Sequence, residues 1–351
     1  MDTNGRAIWQ IAAGDTDRSY EDLFLRWDVI LNGPGDFGKW PDCKSDLRKV
    51  DWVSSRKITD VERFCTGIQN GDFVVLRMGT SSVLGFGQVV GGYEFQEIFS
   101  DVDGWDLQHT RRVRWLWKHD GNPAQFDTYA LKLGDTTQIL DSKPVEEWIR
   151  SLDVPELLLS RPLIELPHPQ NSTSISIDKI SEYLFDQGVA SGSIQKLTNE
   201  MDELVRIARW YQRSNYPSEH ETVAYLVVPL LRALGWTPQR MAIEWNRVDI
   251  ALFDSLPRMD ESLAVVVEVK KMGKSCLSAL SQAMSYSQGK ENCKRLIVTD
   301  GLRYGLHTKD TSGDYKLHSY MNLTDLRDSY PIYDSFGAKE ALLTMAPEWR
   351  S

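Results

Sequence analysis

The stretch "AVVVEVKK", residues 264 to 271, decides how the second half of the chain is read. Five of its eight residues suit a buried strand, yet Glu268 and Lys270 stand among the valines. Successive side chains on a strand point to opposite faces, so Glu268 and Lys270 share a face with Val266 while Val265, Val267 and Val269 look the other way. The pattern therefore sets a carboxylate beside an ammonium within a core strand. For these two residues alone, an ion pair at a strand end with both charges reaching solvent is a sufficient account.

The neighbouring segments supply more. Asp249 interrupts the apolar strand pattern "WNRVDIALF" (245 to 253), with Val248, Ile250 and Leu252 on its opposite face. A buried carboxylate must be paired, protonated or given a metal. Asp249 and Glu268 are suited to hold Mg2+ (or Mn2+), with Lys270 placed to position or help deprotonate an attacking water. Ahead of them, "SEHETVAYLVVPLLRALGW" reads as a helix with Val223, Leu226, Val227, Leu230, Leu231 and Leu234 in one stripe. Ser218 and Glu221 fit a capping box, which gives Glu221 a local role. Glu219 falls on the apolar stripe and is the helix acid expected to join the site. "LSALSQAMSYSQG" (277 to 289) reads as a helix on which Gln282 and Tyr286 face the same way. "RLIVTDG" (295 to 301) is a strand. A helix between it and the valine strand predicts a parallel pair. "GKS" at 273 to 275 follows a strand, but position 268, where a phosphate-binding P-loop has glycine, is glutamate, so no nucleoside triphosphate is expected.

The set Glu219, Asp249, Glu268-Val-Lys270 and Gln282-Ala-Met-Ser-Tyr286 resembles the PD-(D/E)-x-K nuclease superfamily. More narrowly, "SEHETVAYLVVPLLRALGW", "RVDIALF", "VEVKK" and "IVTDG" look like the nuclease domain of type I restriction motor subunits, over about residues 215 to 320. The resemblance implies an α/β restriction-endonuclease-like fold with a mixed central sheet. It also implies Mg2+-dependent DNA cleavage, with Asp249 and Glu268 as metal ligands, Lys270 as the catalytic lysine, and Glu219 and Gln282 in support. The motor of those subunits has no counterpart here.

The first half reads as mostly β. "DFVVLRMG" (72 to 79) and "VLGFGQVVGGYEF" (83 to 95) are strand patterns joined by a hairpin signal, and "RRVRWLWKH" (111 to 119) alternates at period two. "SYEDLFLRWDVIL" (19 to 31) reads as a helix. If 111 to 119 is a strand, Arg112 and Arg114 share one face and Trp115 and Trp117 the other. Arg111, Arg112 and Arg114 are then candidates for DNA backbone contact, a solvated charged face being the alternative. The loop "NGPGDFGKW" (32 to 40) carries Asp36, Phe37 and Trp40, which could line a pocket where a flipped modified base stacks on an aromatic ring. Simple loop rigidity with incidental aromatics is the alternative. The pieces G-D-x-V-V, G-x-G-x-V and R-x-V-x-W resemble the EVE-like branch of the PUA-like barrels over roughly 8 to 118. That resemblance implies a modified-base reader in a modification-dependent restriction system.

Size and composition set the frame. With 351 residues two cores are expected, and 41% hydrophobic with 26% charged residues describes a globular protein. No apolar run approaches the roughly 20 residues that span a bilayer, and the start lacks a signal-peptide layout, so a cytoplasmic protein with no membrane association is expected. Four widely spaced cysteines read as reduced packing residues. A net charge of -10 argues against nonspecific coating of nucleic acid. "SRPLIELPHPQNSTSIS" near 160 to 176 is linker chemistry, followed by the helical patterns "IDKISEYLFDQ" and "SIQKLTNEMDELVRIARWYQRS".

The expectation is thus an α+β chain in three parts: an EVE-like, PUA-like barrel over 1 to 160, a linker and helical connector over 161 to 213, and a nuclease domain over 214 to 351. The expected activity is modification-dependent (type IV-like) restriction of double-stranded DNA carrying a modified base, with a homodimer for double-strand cleavage. The competing expectation is a non-cleaving reader of modified DNA or RNA with a regulatory nuclease-like domain.

Overall fold

The computed structural model describes residues 1, 3, 5–15 and 18–350, the side chain of Gln170 excepted. The chain is α+β and divides into two compact units, Met1–Pro167 and His168–Ser351.

In the first unit, strands β1 (Ile8–Ala12), β2 (Val29–Asn32), β3 (Phe73–Met78), β4 (Ser82–Phe95), β5 (His109–Lys118), β6 (Ala124–Gln125) and β7 (Thr137–Ile139) form one mixed sheet. Its order is β2-β5-β4-β3-β1-β7, with β6 beside β4. β1 and β3 are parallel, and β3, β4 and β5 form an antiparallel meander. The three strand patterns read from the sequence are present. Phe73 and Phe86 stack on one face of the sheet, with ring centroids 5.4 Å apart, over a cluster that includes Val145 and Ile149 of the helix Lys143–Ser151. Gly87 lets β4 and β5 approach, since a Cβ there would lie 2.6 Å from the Val113 side chain and 2.8 Å from Arg114 O.

The sheet curls into a half-barrel whose edge strands are joined by side chains. Asp60, buried on the helix Ser55–Glu62, accepts from Thr137 N (2.8 Å) on β7 and from Asn32 Nδ2 (3.3 Å) on β2. Lys57 Nζ adds bonds to Asp60 (3.0 Å) and Asn32 Oδ1 (2.8 Å).

Two local expectations are corrected here. The helix read over 19 to 31 covers only Glu21–Trp27; Asp28 stops it in the left-handed region (φ 54), and Val29 starts a strand. Asp28 is fully buried and takes Arg161 Nη2 (2.7 Å) and Ile164 N (2.9 Å) on its two oxygens, a long-range demand no local pattern announces. Trp115 and Trp117 do not share a face either. Leu116 is an extra residue between the Phe86 and Gly87 pairings, and this bulge sends Trp115 Nε1 to Phe24 O (3.0 Å) while Trp117 meets Trp148 edge-on.

The second unit opens with helices Ile177–Asp186 and Ser191–Arg213. A helical run follows over 219–233, with a π turn at Val223–Val227. Strands β8 (Met241–Trp245), β9 (Val248–Phe253), β10 (Leu263–Val269), β11 (Arg295–Thr299), β12 (Arg303–Lys309), β13 (Tyr315–Asn322), β14 (Ser329–Tyr330) and β15 (Ser335–Phe336) make a mixed sheet in the order β8-β9-β10-β11-β12-β13-β15-β14. β10 and β11 are parallel and joined through the helix Leu280–Ser287, as the spacing predicted.

The valines of β10 divide as strand geometry requires. Val265, Val267 and Val269 enter the core that contains the 219–233 stripe and both preceding helices; Val266 enters a second core under the Leu280–Ser287 helix. All four are fully buried, each contributing roughly 1.5–3 kcal/mol of hydrophobic stabilisation. The strand read from residue 245 begins instead at Val248. Trp245 closes β8 and pairs with Val248 across a two-residue turn in which Asn246 (φ 49) and Arg247 (φ 75) are both left-handed.

Candidate active site

β9 and β10 run antiparallel, with Ile250 opposite Val267, so Asp249 and Glu268 meet at one end of the pair. Asp249 Oδ2 accepts from Val269 N at 2.7 Å. Lys270, the first residue past β10, is held by its own N–H to Thr299 O (2.7 Å). Its Nζ donates to Glu268 Oε1 (2.9 Å) and to Gln282 Oε1 (2.8 Å), and Gln282 Nε2 donates onward to Tyr286 Oη (3.1 Å). Glu268, Lys270, Gln282 and Tyr286 thus form a continuous hydrogen-bonded chain, with Asp249 beside it on the neighbouring strand.

Each carboxylate keeps one oxygen in reserve. Glu268 is 1% exposed, and its Oε2 is buried with no hydrogen-bond partner. Burial pushes the Glu268 carboxyl up to about 7 against the opposing pull of the Lys270 bond, with the Asp249 and Glu219 charges adding to the rise. Asp249 is raised too, chiefly by burial, while the bond from Val269 N holds it back. Two adjacent carboxyls that resist ionisation, one with an orphaned oxygen, form a site short of positive charge.

The donor set fits a hard divalent cation. Among the described residues no three His, Cys, Asp or Glu side chains gather within ligating reach. An ion here would rest on Asp249 and Glu268 and complete its shell with water and substrate oxygens. Mg2+ and Mn2+ accept that arrangement, whereas structural Zn2+ takes four protein ligands.

Glu219 is exposed at the start of its helical run, outside the hydrogen-bonded chain, although its charge reaches Glu268. Glu221 is committed to the capping box, its Oε2 accepting from Ser218 N and Oγ, both at 2.8 Å. Two groups not singled out in the sequence also act on Asp249: the Glu244 charge raises it and His220 lowers it. For His220 the available signal was its adjacency to Glu219. Glu244 gave none, because its place depends on the left-handed backbone (φ 55) before the Asn246–Arg247 turn.

In the first unit, the nominated residues are differently disposed. Trp40 is 6% exposed, its ring under Lys44 Nζ at 5.1 Å. Asp36 is exposed, and Phe37 is half-buried with its ring 6.2 Å from that of Trp52, which is 69% exposed. Arg111 is buried and donates to Phe64 O (3.2 Å) and Cys65 O (2.6 Å). Arg112 donates to the carbonyls of Asp28, Trp27 and Ile164, and Arg114 to that of Arg161 (2.8 Å). All three guanidinium groups are therefore tied to backbone oxygens. The four cysteines are free and buried.

Comparison with known proteins adds the following. Residues 9–137 match a family model described as a domain of unknown function (DUF8426). No curated protein matches the chain. Among solved structures, the chain is similar to one described as an HsdR-subunit fragment of a type I restriction enzyme from Vibrio vulnificus YJ016, with 19% identity and a TM-score of 0.24. The match covers 38% of this chain and 26% of that one. A likeness this slight carries no argument about fold or chemistry, which rest on the geometry above. Among the described residues, no helix is long and apolar enough to cross a membrane.

Proposed function

We propose that the second unit is a Mg2+-dependent (or Mn2+-dependent) endodeoxyribonuclease of the PD-(D/E)-x-K type and that the whole chain is a modification-dependent restriction endonuclease. The observation that carries this reading is the Asp249, Glu268, Lys270 and Gln282 arrangement, in which a buried carboxylate oxygen without a partner sits beside an anchored lysine.

A bound divalent ion would supply positive charge against the phosphodiester and a more acidic water. Asp249 Oδ1 and Glu268 Oε2 are the oxygens available to hold it. Two of the three N–H donors of Lys270 are fixed by Glu268 and Gln282, which leaves the third to orient the attacking water or a non-bridging phosphate oxygen. Gln282, steadied by Tyr286, keeps the ammonium from swinging away. Water would then form the new P–O bond as the P–O bond to the bridging oxygen breaks, the attacking water giving its proton to solvent and the leaving oxygen taking one from it.

In this reading the first unit is an EVE-like, PUA-like reader that selects double-stranded DNA carrying a modified base, and two copies of the chain combine for double-strand cleavage. The exposed Trp52, its ring 6.2 Å from that of the half-buried Phe37, supports a stacking role near the 32–40 loop. The test is cleavage of modified phage DNA with and without Mg2+. Cutting that persists in chelator, or in a Lys270→Ala protein, rejects the site assignment. Selective binding of modified DNA or RNA without any cutting favours the non-cleaving reader.

A further inference from the structure

In the first unit a cavity of about 440 Å³ opens between the 65–70 segment and a bulge in β4. The bulge exists because Val90 pairs with Arg112 and Tyr93 with Arg111, leaving Gly91 and Gly92 without places in the ladder. Cys65, Gln69, Asn70, Gly92, Tyr93 and Arg111 contribute to its wall, and no carboxylate lines it.

Arg111 is the unusual member. It is 3% exposed and its guanidinium is held by two neutral carbonyls, through Nε to Phe64 O and Nη2 to Cys65 O. Among the described residues it makes no ion pair, and Nη1 has no hydrogen bond. The buried Asp72 charge acts on Arg111 through space without bonding it, its Oδ2 accepting from Trp9 Nε1 (2.9 Å) and Gln69 N (2.9 Å). An arginine does not shed its proton to escape burial, so its charge calls for an anion. The remaining guanidinium edge suits an oxyanion. Across the cavity, Asn70 Oδ1 accepts from Gly91 N (2.8 Å), leaving the amide N–H groups as further donors. Burial pushes the Cys65 thiol up to about 12, so it lines the cavity as a neutral thiol at ordinary pH.

We propose that this cavity is an oxyanion site that takes a phosphate group of nucleic acid, with Arg111 as its cationic floor. The site deepens the reader role given to the first unit, from which it takes the choice of nucleic acid as the source, and it is independent of cleavage. The full chain in chelator, without DNA, is unfolded thermally in sodium phosphate and in sodium chloride of equal ionic strength. Phosphate should raise the midpoint saturably in the native protein and not in Arg111→Met or Gly92→Leu. Gly92→Leu guards against misfolding of the arginine variant, since a Cβ at Gly92 meets nothing within 4 Å. A phosphate response undiminished in Gly92→Leu, or absent from the native protein, overturns the site. Oligonucleotide affinity should fall at least tenfold in Gly92→Leu; unchanged affinity assigns the cavity to a free phosphate compound and overturns the nucleic-acid source. Loss of cleavage in Lys270→Ala with the phosphate response intact separates this site from the nuclease reading.

Discussion

Lys270 and Glu268 stand two residues apart and meet through one hydrogen bond, Nζ to Oε1 at 2.9 Å, while the second oxygen of the same carboxylate meets nothing. The pair is therefore half satisfied, and under the proposed reading the missing half is what a bound divalent cation would provide.

Lys270→Ala should lower Mg2+-dependent cleavage by about 100-fold or more, the scale of losing a positioned proton-transfer or charge-stabilising group. Lys270→Arg should not restore it, because a planar fork does not reproduce a point donor shared between Glu268 and Gln282. Single-turnover cleavage rates on modified DNA check both.

The raised Glu268 carboxyl sets a pH signature. Its ordinary value lies near 4.5 and its folded value is about 7, so the folded state holds this proton more tightly. Its stabilising contribution is full below about 4.5 and is lost as pH rises through about 7. Glu268→Gln, which keeps the shape without the charge, should therefore raise the unfolding midpoint relative to the native protein at pH 8, and the gap should narrow towards pH 5. Mg2+ at pH 8 should raise the native midpoint and leave Glu268→Gln unmoved. A gap that widens towards pH 5 would contradict the assignment.

Gln282→Ala should cost about tenfold in cleavage rate, less than losing Lys270, because the Glu268 bond still holds the ammonium. Substrate affinity should change little. Tyr286→Phe removes only the acceptor of Gln282 Nε2 and should have a smaller effect in the same direction.

The half-barrel seam is tested by Asp60→Ala. The substitution strands Thr137 N and takes one partner each from Asn32 Nδ2 and Lys57 Nζ, and should destabilise the first unit by about 3 kcal/mol in denaturant unfolding. The unfolding of the second unit should be unaffected.

Trp40 and Trp52 should behave oppositely. Trp40→Ala empties a buried site and should cost about 3–5 kcal/mol of stability. Trp52→Ala should leave the unfolding midpoint close to the native one and weaken binding to modified DNA more than to plain DNA. Equal losses on both DNAs would reduce the 32–52 region to backbone contact.

What could be read from the sequence follows from how local the physics is. The faces of β10 were legible because a period of two and full burial leave no freedom: Val265, Val267 and Val269 had to enter one core and Val266 the other. The capping box was legible because Ser218 and Glu221 are three residues apart and need no tertiary partner. β8 was missed because its turn uses Asn246 and Arg247, and an arginine with positive φ is not written in any composition rule. The pattern after residue 301, where β12 to β15 lie, passed unread although "RYGLHTK" carries a strand's alternation. The cavity at Arg111 was illegible because it depends on a two-glycine bulge in one strand and on where residues 65–70 pass.

The orphaned oxygen of Glu268 also bears on how such a chain would drift. Under the proposed nuclease reading, a lineage selected only for heat tolerance would gain by replacing that glutamate with a neutral residue, and would lose the proposed cleavage in the same step. Retention of the acid in a descendant is then a record that cleavage itself was under selection, and thermostability screens on this scaffold need an activity arm to avoid collecting inert winners.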